Sequence, residues 1–204
     1  AILSSALLKE IPYNQPMIFF SSDNLVGKIS QFNKLINFYK KYLNDNNIFI
    51  FGIKTISPSS EYGYFLTKET SKNIHKIDRF IEKPSKNKAK IIVKRKGCMN
   101  SGMFFARKDS IIKSFKKHQY KIFENCSEAV CKLKIRKNVY YLNKTSFKKL
   151  QEISFDYAIL EKSKNIYGIK LNIPLTDLGN WKEIWKFFKK NKSKINTKKN
   201  TFYR

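Results

Sequence analysis

The stretch IFIFGI (48–53) is apolar at every position except its glycine, which predicts a short strand buried on both faces. MIFFS (17–21) reads as a second strand of this kind, ending at the polar SDN. Between them, KISQFNKLINFYKKYLN (28–44) carries apolar residues at 29, 32, 35, 36, 39 and 43, a helical period. Strand, helix, strand in that order predicts a parallel crossover in an α/β sheet. A helix is expected over 2–10. Further on, YGYFL (62–66) and HKIDRFIE (75–82) predict strands joined by the polar TKETSKN. A helix over 85–96 and a strand at SGMFFAR (101–107) follow. DSIIKSFKKH is expected to be helical with Asp109 as its N-cap. Two more helices fit between 119 and 150, and another over 154–163. IYGIKLN (166–172) predicts a late strand, and NWKEIWKFFKKN (180–191) a closing helix with its aromatics on one face. The chain then divides into a folded domain, 1–191, and a loose basic tail, 192–204.

Composition narrows the class. The 204 residues fit one domain, and 42% hydrophobic with 15% aromatic residues is enough for a core. No apolar run approaches the roughly 18–20 residues of a membrane span, so no membrane partner is expected. The N-terminus lacks the pattern of a signal peptide. Three cysteines without C-x-x-C spacing argue against a disulfide framework or a zinc site, and two histidines have no motif around them. A reduced, cytoplasmic protein is expected.

The formal charge is +27, from 42 basic and 15 acidic residues. Such a balance raises nucleic acid as a partner. The lysines, however, are spread along the whole chain among Asn, Ile and Phe, and few of the basic residues are arginine, the usual reader of bases. The charge therefore reads as compositional, with no specific nucleic-acid partner.

Candidate chemistry is dispersed. Asp23 follows a strand and opens a loop, where ligands collect in open α/β sheets; a turn aspartate looks the same. Asp177, in LTDLGNW, precedes a glycine and the closing helix. Separated carboxylates of this kind suit Mg²⁺ that also holds phosphates. In FIEKP, Lys83 would suit a monoester phosphate and Glu82 sugar hydroxyls, or both end an exposed strand. Asn100 enters a strand next to Gly102, and Gly63 leaves room for a ligand or marks a bulge. Ser154 and Asp156 read as the structural first turn of a helix.

In order, FGIKTISPSSEYGYFL, IDRFIEKP, NSGMFFAR, SFDYAILEKS and TDLGNWKEIW resemble the mannose-1-phosphate guanylyltransferases, sugar-nucleotide pyrophosphorylases with a nucleotide-diphospho-sugar transferase fold. The resemblance runs from about residue 1 to 190. It implies a Rossmann-like α/β fold, a mixed sheet flanked by helices, and the joining of GTP and mannose 1-phosphate into GDP-mannose and pyrophosphate. By this resemblance Asp23 and Asp177 hold Mg²⁺, Lys83 the sugar phosphate, and Glu82, Asn100 and the Gly63 backbone the sugar. A homo-oligomer is compatible with it. Asn24 and Ser22 depart from the family's histidine and alanine. The family's glycine-rich front loop has no counterpart among the seven scattered glycines, so the sequence is expected to be an N-terminally truncated, partial nucleotidyltransferase domain. The alternatives are another hexose-1-phosphate nucleotidyltransferase, or a basic binding protein that keeps the fold without the chemistry.

Overall fold

A computed structural model describes residues 1–55, 58–71, 74–179, 181–190, 196–198 and 201–203. The chain passes between two units: Ala1–Phe19 with Tyr39–Asn172 forms the larger, and Phe20–Phe38 with Ile173–Arg204 the smaller.

The larger unit starts with α1 (Ile2–Ala6), shorter than expected. Pro12 disfavours helix at Ile11, and the carbonyls of Leu8 and Ile11 instead accept from Lys108 Nζ at 2.7 Å each. β1 (Pro16–Phe19) follows, then β2 (Asn24–Val26) of the smaller unit and α2 (Ile29–Lys40), which leads back to β3 (Ile48–Ile53). Next come β4 (Tyr64–Ser71), β5 (Ile74–Ile81), α3 (Lys86–Lys94) and β6 (Cys98–Arg107). The sheet is completed by β9 (Ile166–Leu171), giving the order β1-β6-β3-β9-β5-β4. β6 runs antiparallel to both β1 and β3, so those two run in the same direction, as the crossover requires, with β6 between them. β3 and β9 are parallel, which makes the sheet mixed.

The unbroken apolar run of β3 is buried as its pattern predicts: Ile48 through Phe51 are at most 1% exposed. Phe104 of β6 stacks on Phe155 at 4.2 Å and on Phe19 at 4.6 Å, binding the sheet to the segment that carries Asp156. α4 (Lys108–His118) covers the same core with Ile111, Ile112 and Phe115.

Several expectations change. TKETSKN is not wholly a connection, because β4 continues to Ser71 against β5, with its backbone satisfied by the ladder despite polar side chains. Arg107, not Asp109, occupies the cap position of α4. Asp109 lies in the first turn, 2% exposed, where burial demands the charged partner it finds in Arg107. Between 119 and 150, α5 (Tyr120–Cys131) and the short α6 (Lys144–Phe147) are separated by a hairpin, β7 (Lys134–Arg136) with β8 (Val139–Tyr141). Its turn residues Lys137 and Asn138 take φ of 46° and 62°. The expected helix over 154–163 is a π-helical turn, Asp156–Leu160.

In the smaller unit, β2 pairs antiparallel with β10 (Leu175–Asp177), and α7 (Trp181–Lys190) follows. Gly27 N donates to Pro174 O at 2.8 Å, which fixes that register. Within the tail expected to be loose, β11 (Asn196–Lys198) pairs with β12 (Thr201–Tyr203).

Candidate active site

β5 delivers Glu82 and Lys83 just beyond its last paired residue, Ile81, which lies opposite Tyr64 of β4. Gly63 immediately precedes β4, and its carbonyl accepts from Asn100 N of β6 at 2.8 Å. Position 63 is glycine for a steric reason. A Cβ there would overlap Glu82 Oε2 and stand 3.0 Å from Phe80 and 3.5 Å from Asn100 Cβ. The missing side chain is what admits the Glu82 carboxylate. Among the described residues its Oε2 is buried without a hydrogen-bond partner.

Asn100, 8% exposed, holds a second acid nearby. Its Nδ2 donates to Asp156 Oδ1 at 2.8 Å, and its Oδ1 accepts from Gly102 N at 3.3 Å. Burial pushes the Glu82 carboxyl from 4.5 up to about 7; the charges of Asp156 and Glu161 add to the rise and Lys83 opposes it. Asp156 is also raised, chiefly by burial, against the hydrogen bond from Asn100. Two nearby carboxyls whose charged forms are both disfavoured by burial, one with an unanswered acceptor, suit neutral donors such as hydroxyl groups.

Lys83 stands at the rim of this cradle, exposed, at φ 44°. A side chain in the left-handed region costs about 1–2 kcal/mol, and a following proline further discourages helical geometry. Its place is therefore imposed by its surroundings. Glu161 supplies part of that constraint, accepting from Glu82 N at 2.9 Å through Oε1.

The acid pair belongs to the smaller unit. Asp23 precedes β2 and Asp177 ends β10, opposite Asn24 in the antiparallel register. Leu178 N donates to Asp23 O at 2.8 Å, and Asp177 Oδ1 accepts from Gly179 N at 2.7 Å. A Cβ on Gly179 would stand 2.8 Å from Asp23 Oδ2 and 2.9 Å from Asp177 Oδ1. Both carboxylates thus reach the space that the glycine leaves free. Among the described residues no group of three or more His, Cys, Asp or Glu is gathered as a metal site. Two carboxylates are nonetheless the donor set for Mg²⁺ when water and phosphate complete its shell.

The structure brings Gly63, Glu82, Lys83 and Asn100 together in one unit and pairs Asp23 with Asp177 in the other. Asp156 lies in the first turn of a helix as expected, while its bond from Asn100 and that of Glu161 with the Glu82 amide are not anticipated by the sequence. Their common signal was SFDYAILEK, with acids five residues apart.

The mixed sheet flanked by helices is the fold of the nucleotidyl transferases. The chain belongs to the nucleotidyl transferase family, whose model matches residues 1–194. A mannose-1-phosphate guanylyltransferase of Escherichia coli is 27% identical over 208 residues, covering 95% of this chain and 44% of that relative. The chain spans less than half the length of the curated relatives it matches. The crystal structure of mannose-6-phosphate isomerase from Helicobacter pylori aligns with a TM-score of 0.75 at 27% identity, over 86% of this chain and 69% of that one. A crystal structure from Thermus thermophilus, described as mannose-1-phosphate geranyltransferase, also reaches 0.75, over 91% of this chain and 52% of the other; at 19% identity it speaks for the fold alone. Among the described residues no helix is long and apolar enough to cross a membrane.

Proposed function

We propose that this chain is the sugar-phosphate and metal-binding part of a mannose-1-phosphate guanylyltransferase, joining GTP and mannose 1-phosphate into GDP-mannose and pyrophosphate. The observation that carries this reading is the cradle itself: a raised Glu82 carboxyl over a glycine that makes room for it, beside Lys83, with a second raised carboxyl, Asp156, held by Asn100. The relatives' activity supplies the nucleotide and the sugar.

In this reading Glu82, the backbone at Gly63 and the second amide hydrogen of Asn100 take the sugar hydroxyls. Lys83 takes the sugar phosphate, as a flexible point charge suited to a monoester. Asp23 and Asp177 hold Mg²⁺, which when bound neutralises phosphate charge. The phosphate oxygen of mannose 1-phosphate attacks the α-phosphorus of GTP, and pyrophosphate leaves. The residues of this chain contribute alignment and charge neutralisation. Cys98, Cys126 and Cys131 are all free, which suits a cytoplasmic enzyme.

The test is pyrophosphate release from GTP, mannose 1-phosphate and Mg²⁺ by the protein that contains this chain. Lys83→Ala should raise the KM for mannose 1-phosphate far more than that for GTP, by about 2–3 kcal/mol in transition-state terms. An equal rise for both substrates, or turnover of glucose 1-phosphate in preference to mannose 1-phosphate, would defeat the assignment.

A further inference from the structure

Two acids of one short segment serve two different strand ends, and the winding of the segment explains how. In an α-helix, residues five apart lie about 140° apart around the axis, so Asp156 and Glu161 would face different directions. Here Glu161 N donates to Asp156 O at 3.0 Å, closing an i→i+5 turn. A π-turn of this kind brings both ends of the five-residue step to one side. Asp156 then receives Asn100 of β6 at 2.8 Å, while Glu161 Oε1 receives the Glu82 amide beyond β5 at 2.9 Å.

The second of these bonds sits where the backbone has lost its own means of support. β5 ends at Ile81, so Glu82 N is the first amide beyond the ladder. Pro84 has no N–H with which to close a turn over Lys83. Between them Lys83 takes φ 44°, a conformation its side chain opposes. Glu161 supplies, from 79 residues away, the acceptor that a neighbouring strand would otherwise provide.

We propose that Glu161 is a positioning residue for Lys83: by holding the Glu82 amide it fixes the left-handed turn that aims the Lys83 ammonium at the sugar phosphate. The inference rests on the sugar-phosphate role proposed above for Lys83. In this role Glu161 acts through its oxygen as an acceptor of the Glu82 amide, and its negative charge is not required. Glutamine at 161 keeps that acceptor; alanine removes it.

The experiment is calorimetric titration of the full chain with mannose 1-phosphate, beside urea midpoints that report folding. Glu161→Ala should bind about fivefold more weakly and Glu161→Gln within about twofold of wild type, since a single hydrogen bond contributes about 1 kcal/mol net. In the Lys83→Ala background, Glu161→Ala should add nothing, because its effect passes through the missing ammonium. Equal weakening by alanine and glutamine would overturn the inference in favour of a direct charge contact. So would additive losses in the double variant, or an unaffected Glu161→Ala when Lys83→Ala has lost affinity. Lys83→Ala binding as tightly as wild type is a different result: it removes the sugar-phosphate reading itself, and the inference with it.

Discussion

Around Glu82 the chain leaves one carboxyl oxygen buried without a partner, whereas at Gly179 it brings two carboxylates together near the surface. The first arrangement is assembled by a six-stranded sheet, with Asn100 8% exposed between its acids. The second rests on a ladder of three residues per strand, with Asp23 exposed. Each fits a different kind of ligand. Raised, crowded carboxyls disfavour a second negative charge and welcome hydroxyl donors. An open pair reached by water suits a cation that dehydrates reluctantly and keeps part of its shell. The comparison teaches that burial, not the number of acids, decides which kind of ligand each pair of acids suits.

The two glycines give the sharpest way to break that comparison. Each marks a space into which carboxylate oxygen projects, but the neighbours differ in freedom. At Gly63 an added methyl would overlap a buried Glu82 oxygen and also crowd Phe80 at 3.0 Å. Gly63→Ala should therefore lower stability by about 1–3 kcal/mol, the usual result of overpacking, and weaken mannose 1-phosphate binding as well. At Gly179 the methyl would meet only the tips of two carboxylates, which can swing aside. Gly179→Ala should change stability by no more than about 0.5 kcal/mol while weakening Mg²⁺ binding. Urea melts with metal and sugar-phosphate titrations of the two variants decide it. Equal loss of stability would show that the two cradles are equally rigid.

A smaller effect follows from the raised carboxyls. An acid whose folded pKa exceeds its unfolded one binds its proton more tightly when folded. The Glu82 contribution is thus fully present below about 4.5 and is lost as pH rises through about 7. Asp156 contributes with the same sign. Asp45, Asp78 and Glu128, each held low chiefly by a hydrogen bond from a lysine, contribute stability that is lost as pH falls. The measurement is accordingly a difference: stability of wild type minus that of Glu82→Gln should fall between about pH 4.5 and 7.5. A flat difference would mean that the cradle does not strain its acids.

The same contrast marks what the sequence could convey. The main sheet was legible where pattern and burial agree, as in IFIFGI, whose unbroken apolar run became a strand covered on both faces. TKETSKN misled because a strand at the end of the sheet order can stay polar while its backbone pairs. β2 and β10 were invisible: three residues are too few to show a period, and their register is set by contacts more than a hundred residues apart in the chain. The pairing of Asp23 with Asp177 was therefore suggested by resemblance to a family and not by any pattern. Asp156 was legible as the start of a helical turn, but its bond to Asn100 was not. Its sequence suits an α-helical start, and nothing in residue type announces that the turn will close five residues on instead of four.

The smallest predicted effect isolates the strain at Lys83. Its φ of 44° is one that glycine adopts without steric cost and that other side chains resist. Lys83→Ala and Lys83→Gly both remove the ammonium, so both should lose the same affinity for mannose 1-phosphate. They differ only in backbone fit. Relief of about 1–2 kcal/mol is partly offset by the greater freedom that glycine loses on folding, about 0.5–1 kcal/mol. Lys83→Gly should therefore be more stable than Lys83→Ala by about 0.5–1 kcal/mol, or about 1–4 °C in Tm for a chain of this size. Thermal melts of the two variants at one pH are sufficient. A glycine variant no more stable than the alanine one would mean that the turn imposes no strain and needs no support from Glu161, whereas the expected order would show that a lysine is kept at this position against the preference of its own backbone.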